Sequence, residues 1–428
     1  MKNYEGMWKE LGLDVELHKA VLADLDKKFE AYILSQKNRP GKMRYFDDVI
    51  HGAHGARVAE IIDHKKRGGK FIGTFCIYVP EEIVLALDVI PVALCGGTAL
   101  SIPYAERTFP RNICPLLKST LGLSFSKTCA FAPIKDMAVG ETTCDAKKKT
   151  WDFLSKKVNF HVMEVPQKKR DKDLELWRDE VFQFKERLEK LTGNKLDSEK
   201  LSEAVRLMNR KRSACARLHA FRKEALPPIS GLDFLVVMQG ALIDDTRRFW
   251  ENLEDLNAEL EDRVRKGHGV ASDRAKRLVV SGCPSVLGNW KLHHLLESSG
   301  AIVICDESCT GTRYFEHMVE EDHSGIDGQL RAIADRYMKI DCSCFSPNEE
   351  RITNIVKLAR DYKADGVVQY ILQYCHTYNI EAIAVASALK KEGFPSLKIE
   401  TDYSEEDTGQ LRLRIEAFLE SLEKHVKP

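Results

Sequence analysis

Twelve cysteines in a chain of 428 residues are the side chains best suited to chemistry. A thiolate is a nucleophile, a redox partner and a soft metal ligand, so their positions matter first. Cys76 ends the strand-like run KFIGTFC, Cys144 ends MAVGETTC and Cys375 ends VVQYILQYC. Cys283 follows RLVVSG, Cys309 lies in the loop after AIVIC, and Cys114 opens the helix-like run CPLLKSTLGLSF. Ligands on open α/β sheets bind beyond the carboxyl ends of strands, and a helix N-terminus favours a thiolate. If two sheet domains face one another, these positions meet in one cleft and suit a metal cluster. Structural zinc sites bring ligands as CxxC pairs, and the chain has none; its tight pairs are Cys305-x3-Cys309 and Cys342-x-Cys344. Single cysteines spread along the chain suit an iron–sulfur cluster held between domains. Cys95, Cys215 and Cys305 fall in apolar runs and read as core, while Cys283 stays open between the two classes.

Groups that move protons stand next to these thiols. Glu141, Asp145, Glu307 and His376 are the acid–base candidates, with Asp145 also reading as a helix cap. A histidine beside a ligand cysteine is a sensible donor when a substrate takes up electrons and protons together. Lys118 and Lys147 to Lys149 flank Cys114 and Cys144 and can offset thiolate charge. His51 and His54 in HGAHG, and the pair His293-His294, read as helix or surface residues.

The elements that must hold these residues follow from periodicity. Residues 1–65 read as amphipathic helices. Residues 66–165 alternate strands with helices of about a dozen residues and form a first α/β domain. Residues 166–270 are helical: Leu174, Trp177, Val181, Phe184, Leu188 and Leu191 recur at spacings of three and four, and a further helix runs from about Leu232 to Val264. Residues 271–428 are a second α/β domain, with CPSVLGNWKLHHLLESSG as its first helix. The fold class is α/β: two Rossmann-like domains with parallel sheets, N-terminal helices and a helical segment between the domains. There is no GxGxxG and no GxxxxGK[ST], so no nucleotide site of either kind is expected on this chain. Lys plus Arg and Asp plus Glu both number 65, which gives no net field for nucleic acid or an anionic membrane. The start lacks the apolar core of a signal peptide, and the longest apolar run is too short to span a bilayer; a cytoplasmic protein is expected.

RNICPLLKSTLG, ETTCD, QYCHTYNIE and GFPSLKIETDYSEEDTGQLRLRIEAFLE together resemble the 2-hydroxyacyl-CoA dehydratase and benzoyl-CoA reductase family. FCIYVPEEIVLALDVIPV is similar to that family's opening strand and helix. The resemblance implies a four-iron cubane held by three cysteines, matching Cys114, Cys144 and Cys375. Further cysteines at Cys129 (KTCAFAP), Cys309 (DESCTG) and Cys344 (DCSCFSPN), besides Cys76, resemble the double-cubane branch of the family. That branch implies two [4Fe-4S] cubanes joined by a sulfide, held by six cysteines of one chain, with Cys76 and Cys344 competing for the last place. It also implies reduction of small unsaturated molecules at low potential, fed by a separate ATP-hydrolysing iron–sulfur activator. A homodimer is expected, since one chain supplies every ligand. The alternatives are a dehydratase subunit with one cubane and an acyl-CoA substrate, or a non-enzymatic electron-transfer protein.

Overall fold

The computed structural model describes residues 4–423. Strands β1 (Lys70–Thr74), β2 (Val89–Ala93), β3 (Met137–Glu141) and β4 (Phe160–Met163) form a parallel sheet in the order β2-β1-β3-β4. Strands β5 (Lys276–Gly282), β6 (Ala301–Glu307), β7 (Gly366–Leu372) and β8 (Ser396–Thr401) form a second one in the order β6-β5-β7-β8. The two sheets share one topology. Every residue of β3, β6 and β7 is buried, as near-continuous apolar runs require when helices cover both faces.

In each sheet the chain crosses from one side of its first strand to the other. Switch points therefore lie between β1 and β3 and between β5 and β7. Thr74 pairs with both Ala93 and Val139, and Gly282 pairs with Tyr370, so the central strands end level. Residues just beyond those ends share one edge of each domain.

The N-terminal helices Val15–Phe29 and Val58–Lys66 share a core with the first sheet, Met43–Gly52 packs on the helix Gly231–Ala241 of the middle segment, and Asp14 caps the first of them by accepting from the Leu17 N–H at 3.1 Å. The middle segment forms helices Asp171–Thr192, Ser198–Ala220, Gly231–Ala241 and Thr246–Arg265. The single helix expected from Leu232 to Val264 is thus two. Asp245 accepts from the N–H groups of Arg247 and Arg248 at 3.1 and 3.0 Å and starts a new helix there. The run CPSVLGNWKLHHLLESSG is helical only over Lys291–Ser298. Its first part is a loop that turns at Gly288 (φ +90°) and pairs Leu287 with Gly96 of the first domain. One apolar core joins Phe29 and Phe46, Ile72 of β1, Trp177 and Phe184 of the middle segment, and Tyr337 of the second domain. The helical segment is therefore the seat of both domains. Among the described residues no helix is long and apolar enough to cross a membrane.

Candidate functional site

A cavity of about 310 Å³ lies between the sheet edges, and its walls include Cys76, Cys95, Cys114, Cys129, Cys144, Cys283, Cys309, Cys342 and Cys375. Most of these thiols fall into two groups. Cys114, Cys144 and Cys375 each occupy the position immediately before a helix: Pro115–Phe125, Asp145–Ser155 and His376–Lys391. The Lys147 N–H donates to Cys144 Sγ at 3.5 Å, and N–H groups of Leu116 and Leu117 face Cys114. Three helix N-termini thus aim their positive ends at one part of the cavity. Asp145, expected as a cap, is instead the first residue of its helix; Cys144 takes the cap.

Burial and the neighbouring Cys375 push the Cys114 thiol up to about 12. A hydrogen bond with the Cys283 thiol outweighs burial at Cys375 and brings it down to about 7. Cys283, just after β5, accepts the Leu372 N–H at 3.4 Å and is the first group's buried neighbour.

Cys76, Cys309 and Cys342 form the second group, close enough for their charges to interact. Cys344 stands outside the cavity lining and hydrogen-bonds to Cys342. That bond draws the Cys342 thiol down to about 6 and drives Cys344 up. Sequence alone names Cys344 as a candidate, in competition with Cys76, and passes over Cys342. The Cys-x-Cys spacing is visible there, but only the path of the loop decides which thiol faces inward.

Cys129 lies elsewhere on the wall. Its N–H donates to the Leu123 carbonyl at 3.0 Å, which folds its loop onto the preceding helix and buries the side chain among Val58, Phe71 and Phe131. Its thiol is raised by burial and interacts with the N–H groups of Phe131 and Ala132 and with Lys135, rather than with another thiol. Cys95 borders the cavity and donates to the Phe75 carbonyl at 3.6 Å. Cys215 and Cys305 are fully buried in apolar clusters.

Of the lysines that flank the cysteines, Lys147 enters the cavity. Lys118 turns to Glu106 at 2.9 Å and the Arg111 carbonyl at 2.8 Å, and Lys148 and Lys149 are exposed. The Lys147 ammonium pairs with the buried Glu141 carboxylate and donates to the Phe75 carbonyl at 3.4 Å. Thr143 donates to the same Glu141 oxygen at 2.7 Å; the other, Oε2, is buried with no hydrogen-bond partner. Glu307 accepts from Arg313 at 2.6 Å, Arg351 at 2.9 Å and Ser281 at 2.7 Å. Burial alone would raise the Glu307 carboxyl, and the two guanidiniums outweigh it and hold it below its ordinary value. Arg313 also donates to the hydroxyl of Tyr378, which lines the cavity. His376 is exposed at the cavity's rim.

Thiol sulfur is the recurring donor on this wall, and the Lys147 ammonium interacts with Cys144 of one group and Cys76 of the other. Among the described residues no three His, Cys, Asp or Glu side chains converge closely enough to hold a single ion. The thiols ring a space instead.

The profile of a family described as "2-hydroxyglutaryl-CoA dehydratase, D-component" matches residues 76–422. The chain belongs to that family. Every cysteine of this dehydratase-family site falls inside the matched span, and the N-terminal helices fall outside it. A "Putative dehydratase subunit YjiM" of Escherichia coli (strain K12) is 35% identical over 365 residues, covering 85% of this chain and 94% of the relative. The "(R)-phenyllactyl-CoA dehydratase beta subunit" of Clostridium sporogenes is 24% identical, with 85% and 94% covered. One of the benzoyl-CoA reductase subunits of Thauera aromatica is 20% identical, with 80% and 87% covered. These relatives are named as subunits of enzymes, dehydratases and a reductase among them, and the dehydratase-family chain is accordingly an enzyme component.

Proposed function

We propose that this chain is an iron–sulfur oxidoreductase that holds two linked [4Fe-4S] cubanes and reduces small unsaturated molecules at low potential. The observation that carries the reading is the second group of thiols, Cys76, Cys309 and Cys342, on the same cavity as Cys114, Cys144 and Cys375. A single cubane needs three protein thiolates here, and of the nine cysteines that line this space the two groups supply six. The residues fit the group on two further counts: two trios of thiols as soft donors, and the Lys147 ammonium, which interacts with Cys76 and Cys144 and can balance thiolate charge. When bound, the clusters supply electrons at low potential. Cys344 supports Cys342 from behind and is not itself a ligand, and Cys129 is left out because it faces apolar side chains.

The other side chains have distinct duties. Cys114, Cys144 and Cys375 would hold the first cubane, and the N-termini of the helices they cap would offset the charge these thiols take on as they give up their protons to bind iron. Glu307, fixed by two arginines, orients Arg313 and through it Tyr378 on the cavity wall. Glu141 keeps Lys147 charged and in place. His376, at the rim with access to water, passes protons inward. Electrons come from a separate ATP-hydrolysing activator, the chain itself having no nucleotide motif. The assembly is a homodimer in the cytoplasm with a complete site in each subunit.

The relatives' names favour a second reading, a subunit of an acyl-CoA dehydratase with one cubane and a partner subunit. Anaerobic purification followed by iron and acid-labile sulfide determination separates the two. About eight irons per chain supports the double cubane and about four the dehydratase subunit. Turnover of acetylene with activator, ATP and a strong reductant then tests the reduction. Absence of turnover in iron-replete protein would reject the enzymatic part of the proposal.

A further inference from the structure

Beyond the two thiol groups the cavity reaches the helix Val15–Phe29, and this arm adjoins Cys129. Its wall is formed by Val21, Leu25, Leu123, Phe131, Leu242 and Ile243. These come from four places: the helix Val15–Phe29, the end of the helix Pro115–Phe125, the loop after it, and the break between the helices Gly231–Ala241 and Thr246–Arg265. The arm is thus built partly by residues that lie before the family match. Close backbone approach keeps it walled. A Cβ at Gly288 would stand 3.3 Å from the Gly97 carbonyl and 3.4 Å from Leu25, so the interdomain loop closes over this side without a side chain of its own. Near the rim, Asp24 and Lys28 also border the cavity and pair at 3.0 Å on the surface helix.

The charged and amide side chains beside Leu242 and Ile243 are paired elsewhere, Lys211 with the Ala241 carbonyl at 2.7 Å, Gln239 with the Val286 carbonyl at 2.9 Å and Asp244 with Arg248 at 3.1 Å. The polar group left without a partner is on His54. Its ring stacks on His18 with ring centroids 5.3 Å apart and meets Phe131 edge-on at 5.5 Å. Burial, with His18 adding to it, pulls its imidazole down to about 3, so the ring is neutral. Its Nδ1 is buried with no hydrogen-bond partner. A mainly apolar space whose charged neighbours are already paired, with one neutral, unsatisfied nitrogen, gives little to offset the desolvation of a charged group, and apolar protein cavities stay dry and take up apolar guests.

We propose that this arm is a binding and access site for one small, neutral, apolar molecule, the size of a noble-gas atom or a short alkyne, distinct from the thiol groups. An ionic or phosphate-bearing ligand is excluded from it by the same desolvation cost. The inference stands on the shape and lining of the arm and holds whichever cluster the thiols carry.

Xenon is the probe. The full-length chain, purified anaerobically, is titrated with xenon and followed by xenon-129 magnetic resonance, and crystals are pressurised with xenon to locate the atom. The expected result is a saturable shift, with xenon beside His54 and Leu123. Leu25→Trp and Leu242→Trp, which fill the arm, lose that shift, while Leu34→Trp, at a site 44% exposed and outside the cavity lining, retains it. Two results overturn the proposal: no saturable shift in the wild-type chain, or an unchanged shift in a Leu25→Trp protein whose circular dichroism is native. Should the tryptophan variants not fold, the wild-type crystal decides. Xenon in the arm supports the site, and xenon only among the thiols rejects it.

Discussion

Glu307 accepts from Arg313 at 2.6 Å and Arg351 at 2.9 Å, all three groups being buried. In sequence it is an acid–base candidate because it ends β6 beside Cys309, and nothing in AIVICDESC foretells two arginines from Thr312–Phe315 and Glu349–Asp361 closing on it. Its folded-state pKa is depressed, so its contribution to stability is present above the unfolded carboxyl value and is lost as pH falls through the folded one. Glu307→Gln leaves two buried guanidiniums short of their counter-charge and costs about 3–5 kcal/mol at neutral pH. Urea unfolding at pH 7 and pH 4 checks both statements: the variant starts lower and loses less on acidification. The thiols make the sharper residue-scale test. Cys375→Ala and Cys342→Ala lower bound iron and abolish reduction, whereas Cys305→Ala and Cys129→Ala leave both nearly intact. Iron retained in Cys342→Ala but lost in Cys344→Ala would exchange the roles of that pair.

At the scale of elements, the strand ends are readable because hydrophobic runs stop where the chain leaves the sheet, and Cys76, Cys144 and Cys283 stand just past those stops. The helix starts are less so. Asp145 has the better capping chemistry in isolation, yet Cys144 takes the cap, with its sulfur accepting the Lys147 N–H at 3.5 Å. The loop at 283–290 reads as helix in sequence because Val286, Leu287 and Trp290 mimic helical spacing, while Gly288 needs a positive φ. Likewise Cys342 and Cys344 differ only in which way a turn faces, and periodicity does not encode that. The capping geometry carries its own prediction. Cys144→Ser keeps an acceptor for the Lys147 N–H, so the cluster-free protein keeps its stability, whereas Cys144→Ala loses about 1 kcal/mol of helix capping. Both lose iron, since a hydroxyl is a poor replacement for a soft thiolate. Thermal melting of cluster-free protein beside iron determination separates the two roles of one side chain.

The whole molecule places its thiols on both domains. Cys114, Cys144 and Cys76 come from the first, and Cys375, Cys309 and Cys342 from the second, with the pairing of Gly96 and Leu287 as a direct backbone link near the cavity. Each proposed cubane therefore takes ligands from both sides, and its bonds tie the two domains as well as hold iron. A group bound by the folded chain and not by the unfolded one stabilises it by mass action, and structural metal binding is folding free energy. Removing the iron anaerobically with a chelator is then expected to lower the melting temperature and to open residues 266–275, which join the helix Thr246–Arg265 to β5 and include the exposed His268, to proteolysis. Reconstitution with iron and sulfide restores both. In Cys375→Ala the link through the first cubane is weakened, so reconstitution restores less of the melting temperature than in the wild-type chain. A pairwise comparison of holo and iron-free protein by calorimetry and limited proteolysis measures this coupling directly. Equal melting temperatures for the two forms would show that the packed interface alone fixes the domains, and that the cubanes, if present, sit in a cleft that does not need them.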